Sequence, residues 1–265
     1  KTDTFEFVVS GPISENWGAR LALYDSTMDE GWIQNIAGDT TYTTLDFSNG
    51  FAATSHENPA PTQKFYPADE KTYGRLTLKG DIGDRTTLKF KASFADVTMA
   101  SATLGELFDC YLGDVPHNNA GNVATPVPSA GECKKDRKTG LNNIPTVPAA
   151  AYELTGQFGG ALGETYESKV FTTTLTHDFD NSQLIAVLNT HEQNVAWVID
   201  ADYGGATNIF AGEVNDFENT SLEIKWLSTS EGPLNWVLGG YVQETERYFA
   251  QEVIFAGAEE SAADP

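Results

Sequence analysis

Few residues of this chain have the type and spacing that catalysis or metal binding requires. None of the histidines belongs to an HExxH motif or shows the His–carboxylate spacing of a metalloprotease. The sequence also contains no GxSxG motif, phosphate-binding loop or dinucleotide fingerprint. The histidines are His56, His117, His177 and His191. The sequence therefore predicts neither an enzyme nor a metal site, and it implies no cofactor.

One acidic stretch resembles the start of a calcium-binding loop. Asp200 and Asp202 precede Gly204 and Gly205, but Ala211 occupies the position at which an EF-hand needs its bidentate glutamate. We therefore expect a solvated acidic loop here.

The two cysteines, Cys110 and Cys133, lie in a segment rich in glycine, proline and asparagine. No CxxC motif or histidine pair accompanies them, which argues against zinc. A disulfide between them would contribute about 3 kcal/mol through loop closure and would require an oxidising compartment. The alternative is two unpaired loop thiols, and we predict the disulfide.

The charge balance restricts the possible partners. The chain has 16 basic and 38 acidic residues and a net charge of −22, which argues against nucleic acid because phosphate binding depends on Lys and Arg. A basic run at residues 134–138 is a candidate contact for anionic lipopolysaccharide or for an anionic ligand, although a solvated charge run is the simpler interpretation. No apolar run approaches the 18 or so residues of a transmembrane helix, so the chain is either soluble or spans a membrane as strands.

The elements that must position any site are β-strands, because apolar and polar residues alternate with a period of two. Leu88 and Phe90, for example, alternate with Lys89 and Lys91. Short segments rich in Asp, Gly, Asn and Ser join these strands in pairs, and such residues suit tight turns. The pattern predicts eight strands in four hairpins, at residues 2–10, 17–26, 71–80, 85–98, 165–179, 183–197, 215–229 and 235–250.

The lengths of the connections indicate the fold class. Loops of roughly 45, 65 and 17 residues separate the hairpins, and the first two far exceed the usual four to six. Short turns that alternate with long loops are typical of outer-membrane barrels, which have short periplasmic turns and long extracellular loops. A soluble antiparallel sandwich produces the same residue alternation, so the loop asymmetry is the discriminating feature. We predict an all-β fold, specifically a segment of an antiparallel transmembrane β-barrel.

The composition of the strands agrees with this interpretation. One side of most strands is polar, as the water-facing wall of a barrel would be. Its residues include Arg75, Lys79, Lys89, Lys91, Thr172, Thr174, Glu223 and Lys225. Aromatic residues near strand ends form either interfacial girdles or part of a core. They include Trp17, Tyr24, Phe94, Tyr166, Phe179, Trp197, Trp226 and Trp236.

The strand sequences resemble a known family. Residues 9–22, VSGPISENWGARLA, resemble the first barrel strands of TonB-dependent outer-membrane receptors. Residues 221–228, SLEIKWLS, followed by residues 232–241, GPLNWVLGGY, resemble a strand pair that recurs in that family. The resemblance runs along all four hairpins in order.

The resemblance implies a protein of the bacterial outer membrane that imports a scarce solute, such as a siderophore, cobalamin or a carbohydrate. Such receptors have barrels of about 22 strands filled by a plug, so residues 1–265 would be part of the barrel. The implied partners are outer-membrane lipid and lipopolysaccharide, a small siderophore-like molecule, and the inner-membrane TonB complex acting through a plug absent from these residues. The alternative is a self-contained eight-stranded outer-membrane barrel with a structural or adhesive role.

Any ligand contacts are expected in the two long loops, because exposed loops on a rigid scaffold commonly carry binding residues. The aromatic candidates there are Phe65, Tyr66, Phe108 and Tyr111.

Overall fold

The alternating segments of the sequence form β-strands, and most of them belong to one antiparallel sheet. The computed structural model describes residues 1–46, 50, 52–100, 137–145, 152–201 and 209–256. The strands are β1 (Thr2–Pro12), β2 (Trp17–Met28), β3 (Ile33–Asn35), β4 (Thr40–Asp46), β5 (Ala52–Asn58), β6 (Phe65–Tyr66), β7 (Asp69–Ile82), β8 (Thr86–Met99), β9 (Lys138–Thr139), β10 (Gly163–Asp178), β11 (Ser182–Asp200), β12 (Ile209–Ser228) and β13 (Val237–Phe255). One short helix, α1, spans Glu153–Gly156.

The main sheet contains eight strands in the order β1-β2-β7-β8-β10-β11-β12-β13. All neighbours in this order are antiparallel. Among the described strands, β1 and β13 form the two edges and do not pair with each other, so this sheet is open. We call the end of the sheet with the tight turns its turn side and the opposite end its loop side.

Each predicted strand overlaps one strand of the main sheet, but several strands are longer than predicted. Strand β13 ends five residues later than predicted, at Phe255. Strand β11 ends three residues later, at Asp200, and β12 begins six residues earlier, at Ile209. The connection between them is therefore residues 201–208, shorter than the predicted third loop. Asp200 ends a strand and is 1% exposed, so the prediction that it lies in a solvated loop was wrong.

Pairing across the strands assigns every side chain of the main sheet to one of two faces. One row runs from Ser10 through Arg20, Thr77, Lys91, Thr172, Asn189 and Ser221 to Gln243, and it defines the polar face. The adjacent row runs from Gly11 through Ala19, Leu78, Phe90, Thr173, Leu188 and Leu222 to Val242, and it defines the apolar face. The register also settles β13, where the sequence alternation is ambiguous, by placing Leu238 on the apolar face and Tyr241 on the polar face.

Aromatic rings on the apolar face lie over glycines of neighbouring strands. Trp17 pairs with Gly80, and a Cβ at Gly80 would lie 2.1 Å from the indole ring. Phe94 and Gly74 repeat the arrangement, again with 2.1 Å to the ring. These glycines are therefore required by the close approach of the ring.

The longer loops fold onto the loop side of the sheet. The buried side chains that pack together there, which we call the loop-side cluster, are Ile33, Tyr66, Leu141, Ile144, Leu162, Val198, Phe210 and Ile254. Val198, Phe210 and Ile254 come from β11, β12 and β13, on the same face as Leu188, Leu222 and Val242. The cluster therefore covers the loop-side end of the apolar face.

Buried polar contacts connect the loops to each other and to the sheet. The Asn35 side-chain amide donates to the Leu141 carbonyl at 2.9 Å, and its Oδ1 accepts from the Leu141 N–H at 3.1 Å. The Asp200 carboxylate accepts from the Asn142 N–H at 2.8 Å. The Glu252 carboxylate of β13 accepts from the Leu154 and Thr155 N–H groups of α1. Strand β9 adds to β3 in parallel, so the two long loops share a three-stranded sheet.

Among the described residues, no helix is both long enough and apolar enough to cross a membrane.

Candidate functional site

The polar face contains the side chains of the described chain that are best suited to bind a ligand. All eight polar residues named from the sequence pattern, from Arg75 to Lys225, fall on this face once the strands are paired. The strand pairing also places Arg20, Tyr24 and Tyr73 on the polar face, beside Arg75 on β2 and β7. Two parts of this face differ in how their polar groups are satisfied.

The part formed by β2, β7 and β8 is cationic and mostly unpaired. Within the described chain, Lys71 at its loop-side end is paired with Asp69 at 2.9 Å, but none of its other basic side chains lies within 4.0 Å of a carboxylate oxygen. Lys79 also stands directly opposite Lys89 in the β7–β8 pair, and like charges at such positions destabilise a sheet. We call this set of residues the cationic patch: Arg20, Arg75, Lys79, Lys89 and Lys91.

The part formed by β10 to β13 consists largely of polar groups bonded to one another. Thr172 donates to Asn189 at 2.8 Å, and Asn219 donates to Thr245 at 2.8 Å. Its lysine, Lys225, is paired with Glu223 at 2.7 Å, whereas the lysines of the cationic patch have no such partner. This part therefore has little unsatisfied bonding capacity to offer a charged ligand.

A groove lies at the edge of the cationic patch, on strands β1, β2, β7, β8 and β10. It has a volume of about 460 Å³, and Arg20, Tyr24, Tyr73, Arg75, Ser93 and Ser168 contribute to its lining. The rings of Tyr24 and Tyr73 meet with centroids 5.6 Å apart and planes tilted by 47°. The groove therefore combines two guanidinium groups with two phenol rings.

The aromatic loop residues named from the sequence are not brought to this groove. Tyr66 is 1% exposed in the loop-side cluster, where burial raises the pKa of its phenol to about 12. Phe65 is half-buried beside it in β6. Phe108, Tyr111, Cys110 and Cys133 lie outside the described residues. The predicted disulfide and the predicted loop contacts to a ligand stay predictions.

Sequence reasoning missed Arg20, Tyr24 and Tyr73 as one site. The sequence placed Arg20 and Tyr24 on one face of their strand, but nothing local could show that this face joins Arg75. That neighbourhood depends on the β2–β7 register, which pairs Ala22 with Arg75 and Tyr24 with Tyr73.

In the part of the chain that the structure describes, no group of three or more His, Cys, Asp or Glu residues has a metal-binding arrangement. Comparisons with protein-family models, with curated proteins and with solved structures found no match to this chain.

Proposed function

We propose that this chain forms part of the wall of a bacterial outer-membrane β-barrel, in a receptor of the TonB-dependent type that imports a scarce solute. The observation that carries the proposal is the contrast between the two faces of the main sheet. Phe171 is 47% exposed and Leu188 is 46% exposed on the apolar face, while Lys89 and Lys91 of the neighbouring strand β8 lie on the polar face. A barrel wall needs this arrangement, because lipid contacts its outer face and water or protein its inner face.

The shape of the apolar region supports a membrane crossing by tilted strands. On β1 the residue of the apolar face that limits the apolar region at the loop side is Phe5. The row of residues paired with Phe5 across the sheet ends at Tyr248 on β13. On β13 itself, Glu244 and Glu246 interrupt the face, so the continuous apolar stretch begins only at Val242, six residues closer to the turn side.

The turn-side limit of the apolar region moves by the same amount. The row of Val9 ends at Glu244, whereas the last apolar residue of β13 on this face is Leu238, again six residues further. Six residues correspond to about 20 Å along a strand, and seven strand spacings to about 34 Å across the sheet. The apolar region is thus a band that runs at about 30° to the hydrogen-bond direction, close to the strand tilt of about 35–45° in outer-membrane barrels.

The ends of the strands agree with this placement. Near the turns, Trp226 lies 6.3 Å from Phe179 and 5.6 Å from Trp236, centroid to centroid. All three rings are exposed, as expected of an interfacial girdle rather than a core. Strands β11, β12 and β13 contain 19, 20 and 19 residues, well beyond the 9–11 or so that a crossing needs. The excess projects at the loop side, so the loop-side cluster would stand outside the membrane.

The open edges favour a large barrel over the alternative. A self-contained eight-stranded barrel requires hydrogen bonds between β1 and β13, and these strands lie at opposite edges of the described sheet. We propose that further strands pair with both edges and that a plug and the TonB complex complete the receptor.

The proposal is tested by spin labels on adjacent residues of the intact protein in outer-membrane vesicles. Phe90→Cys and Lys91→Cys place labels on opposite faces of β8, in a Cys110→Ser/Cys133→Ser background. We expect oxygen, which concentrates in lipid, to relax the label at position 90, and an aqueous nickel complex to relax the label at position 91. The pair Leu222→Cys and Ser221→Cys on β12 should repeat the difference. Equal access of the nickel complex to all four positions would refute the proposal.

A further inference from the structure

The cationic patch lacks counter-charges although the chain has a large excess of carboxylates. With 38 acidic residues against 16 basic ones, ion pairing would be the simplest outcome for any basic side chain. Lys71, Arg85, Lys169 and Lys225 do have such partners. The described residues supply none to the cationic patch, so its charges repel one another across β7 and β8.

The geometry of the arginines suits one anionic group. Arg20 is directly opposite Thr77, and Arg75 is two residues from Thr77 on the same face. Such diagonal neighbours lie about 7–8 Å apart at their Cα atoms, within reach of long side chains. Two guanidinium groups at this separation can bond a single carboxylate or phosphate from two sides, because each presents a planar fork of N–H donors.

The tyrosines extend the groove beyond the arginines. Tyr24 and Tyr73 are the next pair along β2 and β7 towards the loop side, and their tilted rings offer apolar surfaces beside the guanidinium groups. The volume of about 460 Å³ is that of a typical small-molecule site. Glu6 is the one carboxylate among the described lining residues, and it forms no ion pair with either arginine.

We propose that this groove binds an organic anion, with a carboxylate or phosphate held between Arg20 and Arg75 and a ring placed against Tyr24 and Tyr73. The flanking lysines raise the local concentration of anions and orient their approach. The inference names the chemical class of the solute and in that respect rests on the proposed function, although binding itself can be measured without transport.

The test is calorimetric titration of the intact protein in a non-ionic detergent with phenyl phosphate, benzoate, inorganic phosphate and phenol. Phenyl phosphate and benzoate should each saturate one site, and the tighter of the two identifies the preferred anionic group. Phenol, which is neutral, should bind at least ten-fold more weakly than either. Raising the salt concentration should weaken the binding of both organic anions.

Substitutions locate the site. Arg20→Gln and Arg75→Gln should each weaken phenyl phosphate binding about ten-fold or more, because each removes charge-assisted hydrogen bonds. Arg75→Lys should restore part of the loss by returning the charge. Tyr73→Leu should weaken phenyl phosphate binding but leave inorganic phosphate unchanged. Lys225→Gln, on the bonded part of the same face, is the matched control and should have no effect.

The inference is wrong if phenyl phosphate and benzoate show no saturable binding, or if their affinities are unchanged by both arginine substitutions. So would binding of a polyglutamate peptide in their place, because the patch would then dock an acidic polypeptide. The spin-label experiment separates this failure from failure of the proposed function: an intact difference between positions 90 and 91 with no anion binding refutes only the ligand class.

Discussion

On β11 and β12 the loop side buries Val198 and Phe210 completely, whereas nearer the turns of the same strands Leu188 is 46% exposed and Leu222 is 36% exposed. All four side chains point to the same face of the sheet. The loop side has a closed core of buried side chains, built from loop residues that cover the strands. On the turn side the described chain has no such cover, so its apolar surface requires a partner, which we propose to be lipid.

The largest expected effect lies in the loop-side cluster. Phe210→Ala should lower the free energy of unfolding of this region by about 3–5 kcal/mol, because it leaves a cavity in a closed core. The measurement is urea unfolding of the detergent-solubilised protein, monitored by hydrogen exchange of the β12 amides. Phe255→Ala is the matched control, since Phe255 is 59% exposed on the adjacent strand, and its cost should stay within about 0.5 kcal/mol. Equal costs would mean that the cluster is not an independent core.

The turn side should respond to charge rather than to cavity formation. Leu222→Arg should destabilise the protein by about 2–4 kcal/mol in a bilayer, because it places a cation on the face that we propose contacts lipid. Its neighbour Ser221 points to the polar face, so Ser221→Arg should be close to neutral. Reversible folding into phosphatidylcholine vesicles measures both values. If the two substitutions cost the same, the face assignment or the membrane placement is wrong.

The stability of the loop-side cluster should depend on pH. Burial raises the pKa of Tyr66 from its ordinary value of 10.0 to about 12. Below about pH 10 the phenol is protonated in both the folded and the unfolded chain, so its contribution to stability is fully present. As the pH rises from 10 towards 12, the unfolded chain loses the proton first, and this favours unfolding. The loop-side cluster should therefore lose up to about 3 kcal/mol over this window.

Tyr66→Phe should remove that loss while the turn side is unaffected. The readout is the difference between the parent protein and Tyr66→Phe in alkaline unfolding, compared with Tyr73→Phe, whose ring is 37% exposed on the polar face. An identical alkaline loss in the parent and in Tyr66→Phe would show that the phenol is not buried in solution.

Prediction from sequence succeeded where the pattern is local. The alternation of Leu88 and Phe90 with Lys89 and Lys91 placed β8 within one or two residues of its observed bounds, since each side chain needs only its neighbours to define a face. The strands within the long loops, namely β3, β4, β5, β6 and β9, were not predicted. Two- and three-residue strands carry no periodic pattern, and β9 exists only because Gln34 meets Lys138.

The candidate site was predictable in part. Arg75, Lys79, Lys89 and Lys91 could be assigned to a polar side, but Tyr66 could not be recognised as a core residue, since an aromatic loop residue has the same sequence context whether it binds a ligand or packs. Its burial depends on Leu141 and Ile144, which lie far along the chain.

The residue pattern alone is enough to predict antiparallel strands with one apolar and one polar side, because the two-residue period of a strand is a local property of the backbone. The folded chain is needed to show which strands are neighbours, that Arg20 lies near Arg75, and that Asn35 bonds Leu141 across 106 residues of chain. Register and loop packing are set by contacts between distant segments, whose free energies no local pattern contains.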